Sequence, residues 1–189
     1  MKTWDDNEIP YGFLITFRTY GTWLHGDERG SVDRFMNTYR GPLIPNSPGR
    51  KRYNSSLRKE KTVILNAQMR KVVHTTIAEV CDHRNWSLRT DHIRTNHAHV
   101  VVSTGDRLPE KCLNAFKAYS TRRLREAGCW SSSRSPWSDK GSIRWLWSEE
   151  SIWYACDYVR NRQGADLDDF DDWLRRKNPP ANAGGSALL

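Results

Sequence analysis

Two histidines one residue apart, His97 and His99, lie in the run HAHVVVS, whose apolar and β-branched composition is that of a strand. Side chains alternate faces along a strand, so both imidazoles point to one side while Ala98, Val100 and Val102 point to the other, against helices. Imidazoles paired in this way can converge on one divalent cation. The same spacing also arises by chance, so the pair calls for a third donor and a substrate. Further along, Tyr158 stands off the apolar helical stripe Ile152, Ala155, Cys156 and Val159, with Tyr154 one turn before it and Asn161 and Arg162 about one turn after. A phenol with the usual pKa of about 10 is a weak nucleophile, and phosphoryl transfer to it demands a metal that polarises the phosphate. Alone, Tyr158 reads as an ordinary tyrosine of an amphipathic helix. Beside two metal-ligating imidazoles it reads as a nucleophile.

The elements that must position these residues follow from periodicity and punctuation. Tyr11 to Tyr20 (YGFLITFRTY) is aromatic and β-branched and predicts a strand. Gly21 to Glu60 holds most of the Gly and Pro, little periodicity and the basic cluster Arg50, Lys51, Arg52, Arg58 and Lys59; it reads as a long surface excursion, either a DNA-contacting arm or an unstructured insertion. Met69, Val72, Val73, Ile77, Val80 and Cys81 predict a helix over Asn66 to Arg84, and two strands follow, Trp86 to Thr95 and Asn96 to Thr104. Pro109 opens a second helix whose face is Leu113, Phe116, Ser120 and Leu124, ended by Gly128. After the Ser-rich, turn-like Cys129 to Lys140 comes a short strand, Gly141 to Trp147 (GSIRWLW). Ser148 is the expected N-cap of a third helix, with Glu149 and Glu150 at its positive end, running to about Gln163 before Gly164 stops it.

The order β, α, β, β, α, β, α matches, in its first six elements, the split β-α-β arrangement of an α+β, ferredoxin-like antiparallel sheet with helices on one face. The third helix is an addition to that core. Residues 1–10 read as an extension, 11–164 as one domain with the basic insertion at about 21–60, and 165–189 as an acidic segment followed by a disordered tail, PPANAGGSALL.

Thirty Lys and Arg against 22 Asp and Glu leave a net charge of +8, which raises the local concentration of polyanions such as nucleic acid. Nine Trp and seven Tyr interleaved with basic residues suit the stacking of unpaired bases. Lys117, Arg122, Arg123 and Arg125 on the second helix form a candidate phosphate track, or else a solvated helix face. No apolar run approaches the ~20 residues of a membrane span, and Met1 to Pro10 lacks a signal-peptide core, so a cytoplasmic protein with no membrane partner is expected. Cys81, Cys112, Cys129 and Cys156 show no CxxC spacing and read as reduced packing residues.

The run Thr95 to Thr104 (TNHAHVVVST) resembles the His-hydrophobic-His strand of the HUH endonucleases, and Glu149 to Gly164 (EESIWYACDYVRNRQG) resembles the nucleophile helix of their single-tyrosine, IS200-like transposase branch. Ile15 to Arg34 (ITFRTYGTWLHGDERGSVDR) is similar to the opening of the REP-associated tyrosine transposases. The resemblance covers most of Tyr11 to Gly164. It implies a ferredoxin-like HUH fold in which His97 and His99 bind Mg²⁺ or Mn²⁺ and Tyr158 attacks a DNA phosphate, giving a 5′-phosphotyrosine and a free 3′-OH. It implies single-stranded or hairpin DNA as substrate, and a monomer or homodimer.

The chain departs from the family pattern at one place: the amide that completes the metal site four residues after the tyrosine is here Arg162. Gln163 is the nearest replacement, although a continuous helix would put it about 140° round the axis from Tyr158, whereas Asn161 lies closer to the Tyr158 face. Unwinding at Gly164 would bring Gln163 to the histidines, and family likeness favours it. Arg162 would then be free to clamp the scissile phosphate, and Tyr154 is the alternative nucleophile. The departure also leaves open a catalytically inactive DNA-hairpin-binding protein. A 2H-type phosphoesterase would carry two His-x-Ser/Thr motifs and an RNA-binding ferredoxin-like module an aromatic RNP-like strand; neither is evident.

Overall fold

The computed structural model describes residues 8–31, 41–106, 108–165 and 167. Most of the expected N-terminal extension, part of the basic insertion and nearly all of the C-terminal tail therefore lie outside the described residues. In chain order the elements are β1 (Gly12–Thr19), α1 (Pro48–Ser56), α2 (Ala67–His83), β2 (Ser87–Ile93), β3 (His97–Ser103), α3 (Pro109–Glu126), β4 (Trp137–Leu146) and α4 (Glu149–Asn161). The strands form one antiparallel sheet in the order β2-β3-β1-β4, which is the ferredoxin-like topology expected for the two interleaved β-α-β units.

Alternation along β1 and β3 divides the molecule into two layers. Phe13, Ile15 and Phe17 from β1, with Ala98, Val100 and Val102 from β3, face α2 and α3 and are wholly buried. The helices answer with Val73, Ile77, Phe116 and Leu124, each with no exposed surface. Edge-on ring contacts, Phe17 with Trp137 at 4.9 Å and Phe13 with Trp145 at 5.1 Å, extend this core to β4.

The other face carries a smaller apolar patch, Leu14, Val101 and Leu146, which α4 covers with Ile152, Ala155, Cys156 and Val159. At ~1.5–3 kcal/mol per fully buried aliphatic side chain, this patch supplies most of the docking energy of α4. Hydrogen bonds fix its angle: His92 Nδ1 donates to the Val159 carbonyl at 3.2 Å, and Arg160 donates to the Arg89 carbonyl at 3.3 Å. A Cβ on Gly12 would come within 2.6 Å of the Val102 carbonyl oxygen and 2.9 Å of Ile152 Cδ1, so glycine is what lets α4 approach the edge of β1.

Several boundaries differ from the sequence expectation, and three of them have a physical cause in the packing or capping. α1 lies inside the excursion, capped by Ser47 with Pro48 in its first turn, yet it buries no residue; capping rather than apolar periodicity marks it. β4 begins at Trp137 rather than Gly141, because Trp137 buries against Phe17 and its indole donates to the Lys117 carbonyl at 3.1 Å. α4 ends at Asn161, two residues early.

One ion pair gives the layers a pH dependence. His74 of α2 lies 2.8 Å from Asp91 of β2, both largely buried. Burial pushes the imidazole pKa down, but the hydrogen bond and charge of Asp91 outweigh it and hold the pKa above the usual value of 6.5. The native state thus binds the proton more tightly than the unfolded chain. The pair's contribution, about 1–3 kcal/mol, is fully present below the unfolded histidine pKa and is lost as pH rises through the raised native value. Urea unfolding midpoints should fall across that interval on going alkaline, and His74→Gln should flatten the decline.

Candidate active site

His97 and His99 project from β3 onto the face that α4 covers, not into open solvent as their strand position alone suggests. His99 is 7% exposed and His97 half-buried, with ring centroids 4.7 Å apart. The cause is the apolar patch on that same face, which draws α4 down beside them. Each imidazole is held from behind: His97 Nδ1 donates to Asn96 Oδ1 at 2.6 Å, and His99 Nδ1 hydrogen-bonds the Thr16 hydroxyl at 2.7 Å. This leaves the Nε2 edges to face a ligand, the arrangement in which outer groups orient metal-binding histidines. Asn96 is fixed in turn, its carbonyl accepting from Thr19 N at 2.9 Å and from the Thr19 hydroxyl at 3.1 Å.

Burial pushes the His97 pKa down to about 4, against the opposing hydrogen bond of Gln163 and with the help of the Arg18, Arg94 and His92 charges. Burial likewise pushes His99 to about 3, with His97, His92 and Arg18 adding to the effect. Both rings are therefore neutral near pH 7, with lone pairs available.

α4 brings the phenol. The Ser148 and Ser151 capping box starts the helix, Glu149 and Glu150 occupy its first turn, and Tyr158 reaches the histidines with its ring 5.5 Å from that of His99, edge to face. Tyr158 is 41% exposed. Beyond the helix end, positive-φ Gly164 turns the chain and Arg94 holds the turn by donating to the Ala165 carbonyl at 2.8 Å. Freed from helical geometry, Gln163 donates its amide nitrogen to the Tyr158 carbonyl at 2.9 Å and comes near enough to both imidazoles to oppose the effect of burial on them.

Two imidazole nitrogens together with the Gln163 amide oxygen would make a neutral N,N,O donor set, which suits a divalent ion that keeps open positions for substrate oxygens. Among the described residues no group of three His, Cys, Asp or Glu could hold a metal, so a cation here would rely on the Gln163 amide. A cleft of about 490 Å³ opens alongside, lined by Thr16, His99, Arg144, Tyr154 and Tyr158.

The remaining sequence candidates lie elsewhere. Asn161 donates to Asp157 at 2.8 Å, and Arg162 pairs with the same carboxylate at 3.0 Å, so both are turned away from the imidazoles. Lys117, Arg122, Arg123 and Arg125 belong to α3, across the sheet from His97 and His99. There Lys117 donates to the Ser138 and Asp139 carbonyls at 2.5 and 2.8 Å, and Arg123 pairs with Glu79 and Glu126. Arg122 pairs with Glu126 at 3.4 Å, and Arg125 binds the Ser132, Ser133 and Arg134 carbonyls. The sequence reading missed Thr16, Arg18, His92 and Asn96. Strand alternation offered a signal for two of them: Thr16 and Arg18 interrupt the face of β1 opposite Phe13, Ile15 and Phe17.

Residues 56–161, more than half of the chain, match the family model described as transposase, IS200-like. No curated protein matches the sequence. The solved structures that align with it include the following two. One is a REP-associated tyrosine transposase bound to a REP hairpin, 10% identical, TM-score 0.47, over 84% of this chain and 70% of that one. The other is a Deinococcus radiodurans R1 crystal structure named for a transposase, 12% identical, TM-score 0.45, over 87% of this chain and all of that one. No helix among the described residues is long and apolar enough to cross a membrane.

Proposed function

The chain belongs to the IS200-like transposase family, and from that premise we propose that it is a single-stranded DNA endonuclease and strand transferase. Residues 11–164 form its catalytic unit, Tyr158 is the nucleophile, and His97, His99 and Gln163 hold Mg²⁺ or Mn²⁺. The observation that carries this reading is the convergence of residues from β3, α4 and the turn after α4: two neutral, rear-oriented imidazoles and a phenol, with the Gln163 amide held on the Tyr158 carbonyl beside them. All four side chains come from one chain.

Tyr158 Oη attacks the phosphorus of a DNA linkage as the bond from phosphorus to the 3′-oxygen breaks. The phenol gives up its proton, the departing 3′-oxygen takes one up, and the products are a 5′-phosphotyrosine and a 3′-hydroxyl. When bound, the cation would polarise the phosphate and offset the negative charge that accumulates on it. The chain's own residues do the rest. Burial keeps His97 and His99 unprotonated, Asn96 and Thr16 fix their orientation, and the seating of α4 holds the phenol beside them. Because the phosphotyrosine keeps the energy of the broken linkage, a second 3′-hydroxyl can reverse the step and join strands without ATP. An extended strand can enter the cleft beside Tyr154 and Tyr158, and this, with the family resemblance, supports single-stranded DNA next to a hairpin as substrate.

End-labelled hairpin DNA with single-stranded flanks, taken from the sequence bordering the gene, tests the proposal. An SDS-resistant protein–DNA adduct is expected in Mn²⁺ and none in EDTA. Tight binding with no adduct in any divalent metal would instead favour a catalytically inactive hairpin-binding protein.

A further inference from the structure

Arg18 is placed where the sheet meets the candidate site. It is opposite His97 in the β1–β3 register and shares the α4-covered face with Leu14 and Thr16. Its guanidinium lies 3.2 Å from the centre of the Trp23 ring, and Trp23 is itself anchored by donating to the Gly30 carbonyl at 2.7 Å. Arg29 approaches the same indole at 4.6 Å. The acid nearest this cluster is already committed, since Asp27 binds Arg29 at 2.6 Å and Lys51 at 3.1 Å. Among the described residues no hydrogen-bond acceptor or carboxylate partners the Arg18 guanidinium.

A half-buried guanidinium with five donors, one aromatic platform and no acceptor among the described residues is an unusual expense in a folded protein. Burial and the neighbouring charge of Arg29 push its pKa down to about 10, against the opposing effect of Tyr158 and Asp27. The described residues thus leave the cation poorly matched, and an anion brought to Tyr158 would match it.

We propose that Arg18, held flat on Trp23, is the arginine that grips the DNA phosphate presented to Tyr158. Its planar fork suits two oxygens of one phosphate, and stacking on Trp23 fixes the fork in advance so that little rotamer freedom is lost on binding. Gripping a non-bridging oxygen would orient phosphorus toward Tyr158 Oη and offset the charge that grows there as the 3′-oxygen departs. This takes over the role that the sequence suggested for Arg162, whose guanidinium is engaged by Asp157. The proposal rests on the strand-transfer reading above.

Arg18→Ala and Arg18→Lys would be measured in three ways on the full chain, with the gene-flanking hairpin oligonucleotide as probe. In Mn²⁺, Arg18→Ala should form the covalent adduct on the order of 10²–10³-fold more slowly than wild type. In EDTA, where no chemistry occurs, its binding should weaken and the slope of log affinity against log salt should flatten by about 0.7, one phosphate contact. Arg18→Lys should restore the slope and part of the rate. The thermal midpoint of Arg18→Ala should stay level or rise, because an unpartnered, half-buried cation has been removed. An Arg18→Ala protein with wild-type adduct rate and wild-type salt slope would overturn the proposal. So would a lowered midpoint with an unchanged slope, which would assign Arg18 to the fold alone. If the wild-type protein itself gives no adduct, the strand-transfer reading fails, and the phosphate contact is decided by the salt slope.

Discussion

Tyr158→Phe is expected to abolish covalent attachment to DNA, slowing adduct formation on the order of 10⁴-fold or more, while leaving hairpin binding and thermal stability close to wild type. The size of the effect follows from removing the nucleophile itself rather than a group that assists it. Stability should be spared because Tyr158 is 41% exposed and no hydrogen bond to its hydroxyl is found among the described residues. The ring, which makes the edge contact with His99, remains in the variant. Tyr154→Phe is the matched control. Tyr154 lines the same cleft one turn earlier, but its ring packs on Trp153 at 5.1 Å rather than on the histidines. It should retain adduct formation to within a few-fold, as measured by gel electrophoresis in SDS after timed incubation with labelled hairpin.

His97→Ala and His99→Ala should each lower the Mn²⁺-dependent rate by about 10³-fold or more, equivalent to the loss of several kcal/mol of charge stabilisation. The two variants should differ in stability. His97 is half-buried beside Asn96, whereas His99 is 7% exposed and satisfies the Thr16 hydroxyl. Removing the His99 ring opens a small cavity and strands that hydroxyl, at a cost of about 1–3 kcal/mol. Adduct rate measured against Mn²⁺ concentration separates the effects: loss of a ligand moves the half-saturating metal concentration upward, whereas unfolding lowers the amount of active protein at every concentration. If both variants kept the wild-type metal dependence, the imidazoles would not be ligands.

The parts of the fold that were readable from sequence are those where burial imposes a pattern. HAHVVVS declares itself a strand because one face meets a two-helix layer, and the α2 and α3 stripes repeat because each helix buries a single side. α1 escaped notice because it buries nothing, and the start of β4 because an edge strand with exposed Asp139 to Ser142 has no need to alternate. The candidate site divides along similar lines. His97, His99 and Tyr158 are legible from residue type and spacing. The position of Gln163 depends on where α4 stops and on the Arg94 contact that holds the following turn, neither of which a helical wheel contains. The basic residues of α3 show the same limit from the other side. Periodicity groups them on one helix, but only the packing of the layers puts that helix on the far side of the sheet, where carboxylates and carbonyls absorb the charges. Arg18 was hidden in a strand that otherwise reads as core.

The most direct measurement of the central claim is the site of covalent attachment. Trypsin releases the stretch from Trp145 to Arg160 as one peptide holding both Tyr154 and Tyr158. After reaction with hairpin DNA in Mn²⁺ and nuclease digestion, fragment-ion mass spectrometry should find a nucleotide joined through its 5′-phosphate to Tyr158, with Tyr154 unmodified. A nucleotide on any other residue, or cleaved DNA with no peptide attached, would contradict the account.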